Sequence, residues 1–326
     1  MTISRTSRFL IFSLCAFLLL ATGYEARYLY LRWRHRTTWQ QRLYTPTELT
    51  KIGDLYFIVD CWHNRVLYQK TLDPDLSEWK VLDNDLAGPH SIASDSYFYV
   101  VEDTGRDRLK VYRRLGDEFN PVQTIDNVGL RPHFTVYDPA TSAFYVIGAN
   151  SQTITKLKRE GDRLRVQYTK NLQFLDGVYT RSFTILDGDM YFVSGPRRIF
   201  KTRYTDDSYQ VIASYKVPES LQSMNGLYRT EHYYYLTGTP RTIVRTESLE
   251  ALEEGKYQDV YDELGLHGTP YYIVRFDGRY YLPEITEYSG IVSFVETEGR
   301  IDNVSKLFDF GEPKLADDQE KKRLPK

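Results

Sequence analysis

From Pro46 to Phe310 short apolar runs of four to six residues recur, separated by turn residues, with the alternation of strands rather than the three-to-four spacing of helices. The runs repeat. The dipeptides Pro46-Thr47, Pro89-His90 and Pro132-His133 stand 43 residues apart, and Arg181-Ser182, Met224-Asn225 and Thr269-Pro270 continue the series at intervals of 49, 43 and 45. Each marker opens a short apolar strand, such as Ser91–Ala93 or Phe134–Tyr137. A tight-turn pair follows, among them Gly53-Asp54, Asp138-Pro139, Asp187-Gly188 and Asp277-Gly278. Next comes an aromatic strand (LYFIV, YFYVV, FYVI, MYFV, YYYL, YYL), then a polar loop and a third strand (RVLYQ, RLKVYR, TITKLK, RIFKTR, TIVRTE, IVSFVE). A more amphipathic fourth strand closes the unit.

Four strands repeated six times at this period predict an all-β, six-bladed β-propeller of four-stranded blades over residues 37–311. An open array of β-sandwich units is the alternative. Glu247 to Gly255, in the fifth unit, has a helical pattern and is expected on the rim. The tail, residues 312–326, is charged, ends EKKRLPK and is expected to be disordered.

Before the repeats lies a different pattern. Phe9 to Tyr24 is an apolar run preceded by Arg5 and Arg8, and it can extend through Tyr28, Leu29 and Tyr30 to Leu31, interrupted by Glu25 and Arg27. Residues 1–36 are therefore expected to hold a hydrophobic helix that tethers the chain to a membrane. Arg5 and Arg8 favour a cytoplasmic N-terminus while Arg27, Arg32, Arg34 and Arg36 pull the other way, and the propeller is expected outside the cytoplasm, as in most signal-anchored propellers. A cleaved signal peptide, which would release a secreted propeller, and a buried helix are the alternatives.

Aromatics make up 15% of the chain, including 28 Tyr, which agrees with strands. The net charge of −2 gives no reason to expect a nucleic-acid partner. The two cysteines, Cys15 and Cys61, are not expected to pair, because one lies in the apolar N-terminal run. There is no glycine-rich phosphate loop, HExxH, CxxC or GxSxG.

Gly88 to Arg114, GPHSIASDSYFYVVEDTGRDRLKVYRR, resembles the NHL repeat, with its Pro before the inner strand, aromatic-Val strand and Asp-Thr-Gly. Tyr56 to Gln69 is similar, with Asp60, His63, Asn64 and Arg65 in matching places; later units keep the spacing and lose the Asp and Asn. The chain also looks like the wider set of six-bladed propellers that includes gluconolactonases, paraoxonases and peptidylglycine amidating lyases. That resemblance implies a site at the channel mouth, often with a metal. The acidic and Asn ligands of that set are not recovered here.

In a propeller, the starts of the inner strands and the loops between second and third strands share one face. Thr47, His90, His133, Ser182, Asn225 and Pro270 are thus expected to ring the channel mouth. Trp62, Glu102, Asp103, Arg106, Arg197 and Arg241 come from the loops, and Arg131, Arg181 and His267 from connections between blades. His90 and His133 occupy equivalent positions of adjacent units, so with His267 they could hold a divalent metal, or they could be channel-lining polar residues. Glu102 or Asp103 could serve as general base, or brace the loop that follows. The arginines could form a collar for a carboxylate or phosphate, and Trp62 could stack on a sugar or anchor a protein.

The leading expectation is a membrane-tethered propeller that binds a small polar or anionic ligand, or a partner protein, through Thr47, Trp62, His90, His133, Arg181, Ser182, Arg197 and Asn225. A metal-dependent hydrolase or lyase and a structural scaffold of a membrane complex are the alternatives.

Overall fold

The computed structural model describes residues 41–313 apart from 176, 195–197, 220 and 222. The expected N-terminal helix, all but the first two residues of the charged tail, and Arg197 lie outside the described residues. Among the described residues no helix is long and apolar enough to cross a membrane.

Six antiparallel sheets follow one another along the chain, each built from consecutive strands. The first holds β1 to β4 (Pro46–Ile52, Leu55–Asp60, Arg65–Gln69, Lys80–Asp83) and the second β5 to β8 (Ile92–Ser94, Tyr99–Asp103, Arg108–Leu115, Glu118–Asp126). The third holds β9 to β12 (Pro132–Asp138, Ala143–Gly148, Thr153–Glu160, Arg163–Asn171) and the fourth β13 to β16 (Thr180–Leu186, Asp189–Ser194, Arg198–Arg203, Gln210–Lys216). The fifth holds β17 to β20 (Ser223–Arg229, Tyr234–Thr239, Thr242–Thr246, Gln258–Asp259). Helix α1 (Leu249–Glu253) sits between β19 and β20. In the sixth the inner strand is split into β21 (Thr269–Pro270) and β22 (Val274–Phe276), both paired with β23 (Arg279–Ile285), followed by β24 (Gly290–Thr297) and β25 (Arg300–Asp309). This is a six-bladed β-propeller.

Local chemistry explains the blades. Asp187-Gly188 and Asp277-Gly278 both have positive φ at their two residues, the geometry that joins twisted strands in a two-residue hairpin. The aromatic second strands are buried along nearly their whole length, because each blade is covered on both faces by its neighbours. The fourth strands form the rim and are largely exposed, as in β8 and β12.

The core is six apolar clusters, one between each pair of adjacent blades. Phe57, Val66, Tyr99 and Tyr112 join blades one and two, and Phe98, Val111, Phe144 and Leu157 join two and three. The series ends with Leu43, Leu49, Trp79, Ile291 and Phe308, which seal blade six against blade one. Each buried Leu, Ile, Val or Phe is worth about 1.5–3 kcal/mol relative to exposure, so the closed ring leaves no apolar blade face in water. Polar bonds lock the seam: Ser289 Oγ donates to the Leu43 carbonyl at 2.8 Å, and the Arg42 guanidinium donates to the Phe310 carbonyl.

Candidate functional site

The inner strands are not paired with one another, so side chains satisfy the polar groups that face the channel. Glu48 Oε2 accepts from the Ile92 amide (2.8 Å), linking blades one and two. Ser91 Oγ accepts from the Thr135 amide (2.9 Å), linking two and three. His133 Nδ1 lies 3.0 Å from the Arg181 carbonyl, linking three and four. Ser182 Oγ donates to the Asn225 carbonyl (2.7 Å), and Asn225 Nδ2 donates to the Pro270 carbonyl (2.9 Å), carrying the chain to blade six. Thr47 Oγ1 bonds within its own blade, to the Val59 carbonyl. The expected ring therefore surrounds one axis, and all six of its members are buried.

His90 and His133 meet face to face, with ring centroids 3.7 Å apart and planes at 29°. Their hydrogen bonds fix the tautomers. Thr104 Oγ1 spends its proton on the Pro132 carbonyl (2.7 Å), so at 3.3 Å from His90 Nδ1 it acts as acceptor and Nδ1 carries the hydrogen. His90 Nε2 is then an acceptor, 3.7 Å from Cys61 Sγ. Burial raises the Cys61 thiol well above its usual value, which keeps it a protonated donor rather than a nucleophile. His133 Nδ1 faces a carbonyl and so carries its hydrogen too. Both imidazoles are neutral: burial first, and then the nearby Arg131 and Arg181 charges, push His90 down to about 3. Burial, His90 and Arg181 hold His133 well below the usual range.

Both ring nitrogens of His90 are thus engaged. His267 lies elsewhere, exposed and packed against Tyr288 at 5.0 Å. Among the described residues no three His, Cys, Asp or Glu side chains converge as a metal site.

The two carboxylates considered as bases are fully buried and occupied. Glu102 accepts from Ser91 Oγ (2.6 Å) and the Ser91 amide (2.9 Å), and burial raises its pKa. Asp103 takes the Ala87 amide (2.6 Å) on one oxygen and Arg108 Nε (2.7 Å) on the other. Asp60 repeats this in blade one, with the Thr45 amide at 2.9 Å and Arg65 Nε at 3.0 Å. The residue after each short helical turn then stitches to the next blade: Asn64 Oδ1 accepts from Gly88 N (2.9 Å), and Asp107 Oδ1 from Arg131 N (2.7 Å). Asn64 and Asp107 hold φ of 54° and 53°, a left-handed conformation that Asn and Asp tolerate. The repeat motif of blades one and two is therefore a brace. In blade six Glu284 supplies only the amide half of such a brace: one oxygen accepts from the His267 and Gly268 amides, and the other has no hydrogen-bond partner among the described residues.

The arginines divide. Arg106 is tied to Asp85 and Asp103. Arg131, Arg181 and Arg241 have no ion pair among the described residues; the Arg181 guanidinium donates to Ser223 Oγ (2.9 Å) and lies over Tyr179. Trp62 is 57% exposed on the turn after β2.

Tyr271, Tyr272 and Glu48 did not figure in the sequence reading. Between β21 and β22 the sixth inner strand bulges at Tyr271–Ile273, and both tyrosines turn into the channel. The Tyr272 hydroxyl donates to the Arg181 carbonyl at 3.2 Å, on the far side of the ring. Its ring packs on Phe134 at 4.5 Å. Three successive bulky residues where an inner strand should alternate were the available signal. Below this plug a cavity of about 340 Å³ runs along β9, β13 and β17 toward the end opposite the mouth.

No family model matches the chain, and no curated protein does either. Solved structures do. A 6-phosphogluconolactonase-like protein of Bacteroides uniformis superposes with a TM-score of 0.60 at 11% identity, covering 81% of this chain and 86% of its own. Streptogramin B lyase gives 0.56 at 13% identity, covering 83% and 85%. The hydrazine synthase of Kuenenia stuttgartiensis gives 0.55 at 15% identity, covering 78% and 77%. At these identities the likeness establishes the shared propeller fold.

Proposed function

We propose that the protein is a binding propeller that takes a small anionic ligand at its channel mouth, through Arg131 and Arg181. One observation carries this reading: both guanidinium charges bear on the buried, neutral His90–His133 pair, and neither has a carboxylate partner among the described residues. Cations gathered without counter-ions beside a low-dielectric wall attract an anion. Ser223, which already accepts from Arg181, and the exposed Trp62 stand on the same face and could complete the contacts. The apolar run from Phe9 to Tyr24, with its basic flank and its extension to Leu31 past Glu25 and Arg27, supports a membrane tether that holds the propeller outside the cytoplasm.

Inorganic phosphate, citrate and gluconate are the probes. Titration calorimetry at low ionic strength should find one-site binding for at least one of them, weakening as salt rises and lost in the Arg131→Ala, Arg181→Ala double variant. Heats that are absent for all three, or unchanged in the double variant, would refute the reading. Carbonate extraction of membranes from cells expressing the full chain tests the tether: release into the soluble fraction would remove it.

A further inference from the structure

The cavity beneath Tyr272 belongs to a different part of the channel and has a different chemistry. Its walls are Phe134, Val136, Phe183, Ile185, Leu227 and Tyr228, with Tyr272 and Ile273 above. Val136, Ile185 and Tyr228 are partly exposed, so it opens to solvent where the inner strands end.

Among the described residues no free charge lines it. Asp138 is the one ionisable carboxylate in the lining, and its oxygens are taken by the Ala140 and Thr141 amides, Thr141 Oγ1 and Tyr204. The Ser182 and Thr184 hydroxyls donate to the Asn225 and Leu227 carbonyls. Thr237 differs. It lines the cavity, is 2% exposed, and its Oγ1 has no hydrogen-bond partner among the described residues. A buried hydroxyl without a partner destabilises the fold, and valine would fill the same shape without that cost. Gly226 keeps the approach open: a Cβ there would stand 3.4 Å from both Thr237 Oγ1 and the Tyr272 ring.

We infer that this cavity is a second binding site, for an uncharged aromatic small molecule that carries one hydrogen-bonding group directed at Thr237 Oγ1. The size is that of a small-ligand pocket, and an apolar wall with a single polar anchor is the usual way such a pocket orients its ligand. The absence of a free cation in the lining separates it from the arginine-bearing mouth, so it does not depend on the anion reading.

N-phenyl-1-naphthylamine is the probe: it is neutral, aromatic, has one N–H, and brightens in apolar surroundings. Full-length protein should give saturable one-site enhancement. Ile185→Trp, which fills the open end, should abolish it while far-ultraviolet circular dichroism and melting temperature stay unchanged. Thr237→Val should weaken binding about fivefold, the value of one hydrogen bond, without loss of stability. The Arg131→Ala, Arg181→Ala variant should bind the dye as the wild type does. No saturable enhancement, enhancement that survives Ile185→Trp, or equal affinity in Thr237→Val would each overturn the inference.

Discussion

Tyr272 and His133 come from opposite blades of the ring, and the Tyr272 hydroxyl lies 3.2 Å from His133 Nδ1. One side chain therefore bridges the channel and divides it into a basic mouth and an apolar lower chamber. The Arg181 carbonyl receives both groups, so three blades meet at a single acceptor.

If this bridge holds the blades in place, Tyr272→Phe should cost about 1 kcal/mol, since packing is kept and one hydrogen bond is lost. Tyr272→Ala should cost about 3–5 kcal/mol, as for other large aromatic truncations, and should join mouth and chamber. Urea unfolding of the two variants measures the difference. Equal, negligible losses would show that the bridge carries little stability.

Stability should be greatest near pH 6.5 and fall on either side of it, for opposite reasons. Between pH 6.5 and about 3 the unfolded chain binds a proton that folded His90 refuses, so acid weakens the fold. Burial raises Glu48 from 4.5 to about 8, so over that range the folded state keeps a proton the unfolded chain has lost, and rising pH weakens the fold. Urea midpoints across pH 4 to 9 should show both limbs. Glu48→Gln should flatten the alkaline one, and His90→Gln with His133→Gln the acid one.

Asp60 and Asp103 occupy equivalent braces but should not cost the same to disable. Asp60 pairs with Arg65, and both are fully buried. Asp60→Asn removes the carboxylate charge from a fully buried guanidinium, which keeps its bond to the Arg42 carbonyl, and should cost about 3–5 kcal/mol. Arg106 and Arg108 keep access to water, so Asp103→Asn should cost about 1–3 kcal/mol. Thermal melts of the two variants, run side by side, test the order.

An anion seated on Arg131 and Arg181 would offset the two charges that disfavour protonated imidazole. His90 should then titrate at higher pH in the presence of the bound anion. Histidine ring resonances followed by NMR with and without ligand check the direction; no movement would place the anion away from this pair.

The strand pattern was legible because it is local. Alternation, the turn residues of Asp187-Gly188 and Asp277-Gly278 and the recurrent spacing each depend on neighbours a few residues away, and together they imply six blades. The brace could also be seen as an alternative role for Asp103, through the resemblance of its Asp-Thr-Gly turn to the NHL repeat, although one of its partners, the Ala87 amide, lies 16 residues away. The ring at the inner-strand starts followed from blade geometry alone.

What the ring does at its axis depended on closure. His90 and His133 were expected to be neighbours, but their stacking, tautomers and neutrality come from Thr104, Cys61 and the Arg181 carbonyl, which only the folded ring brings to them. Tyr272 reaches its partners because a bulge in the sixth inner strand turns it across a channel whose width no local pattern encodes. The sequence by itself determined the blades and the face where polar side chains gather. Tertiary structure alone decided where the channel is blocked and where it is open, because strand formation is settled by contacts within a unit, whereas the axis is shared by residues from all six.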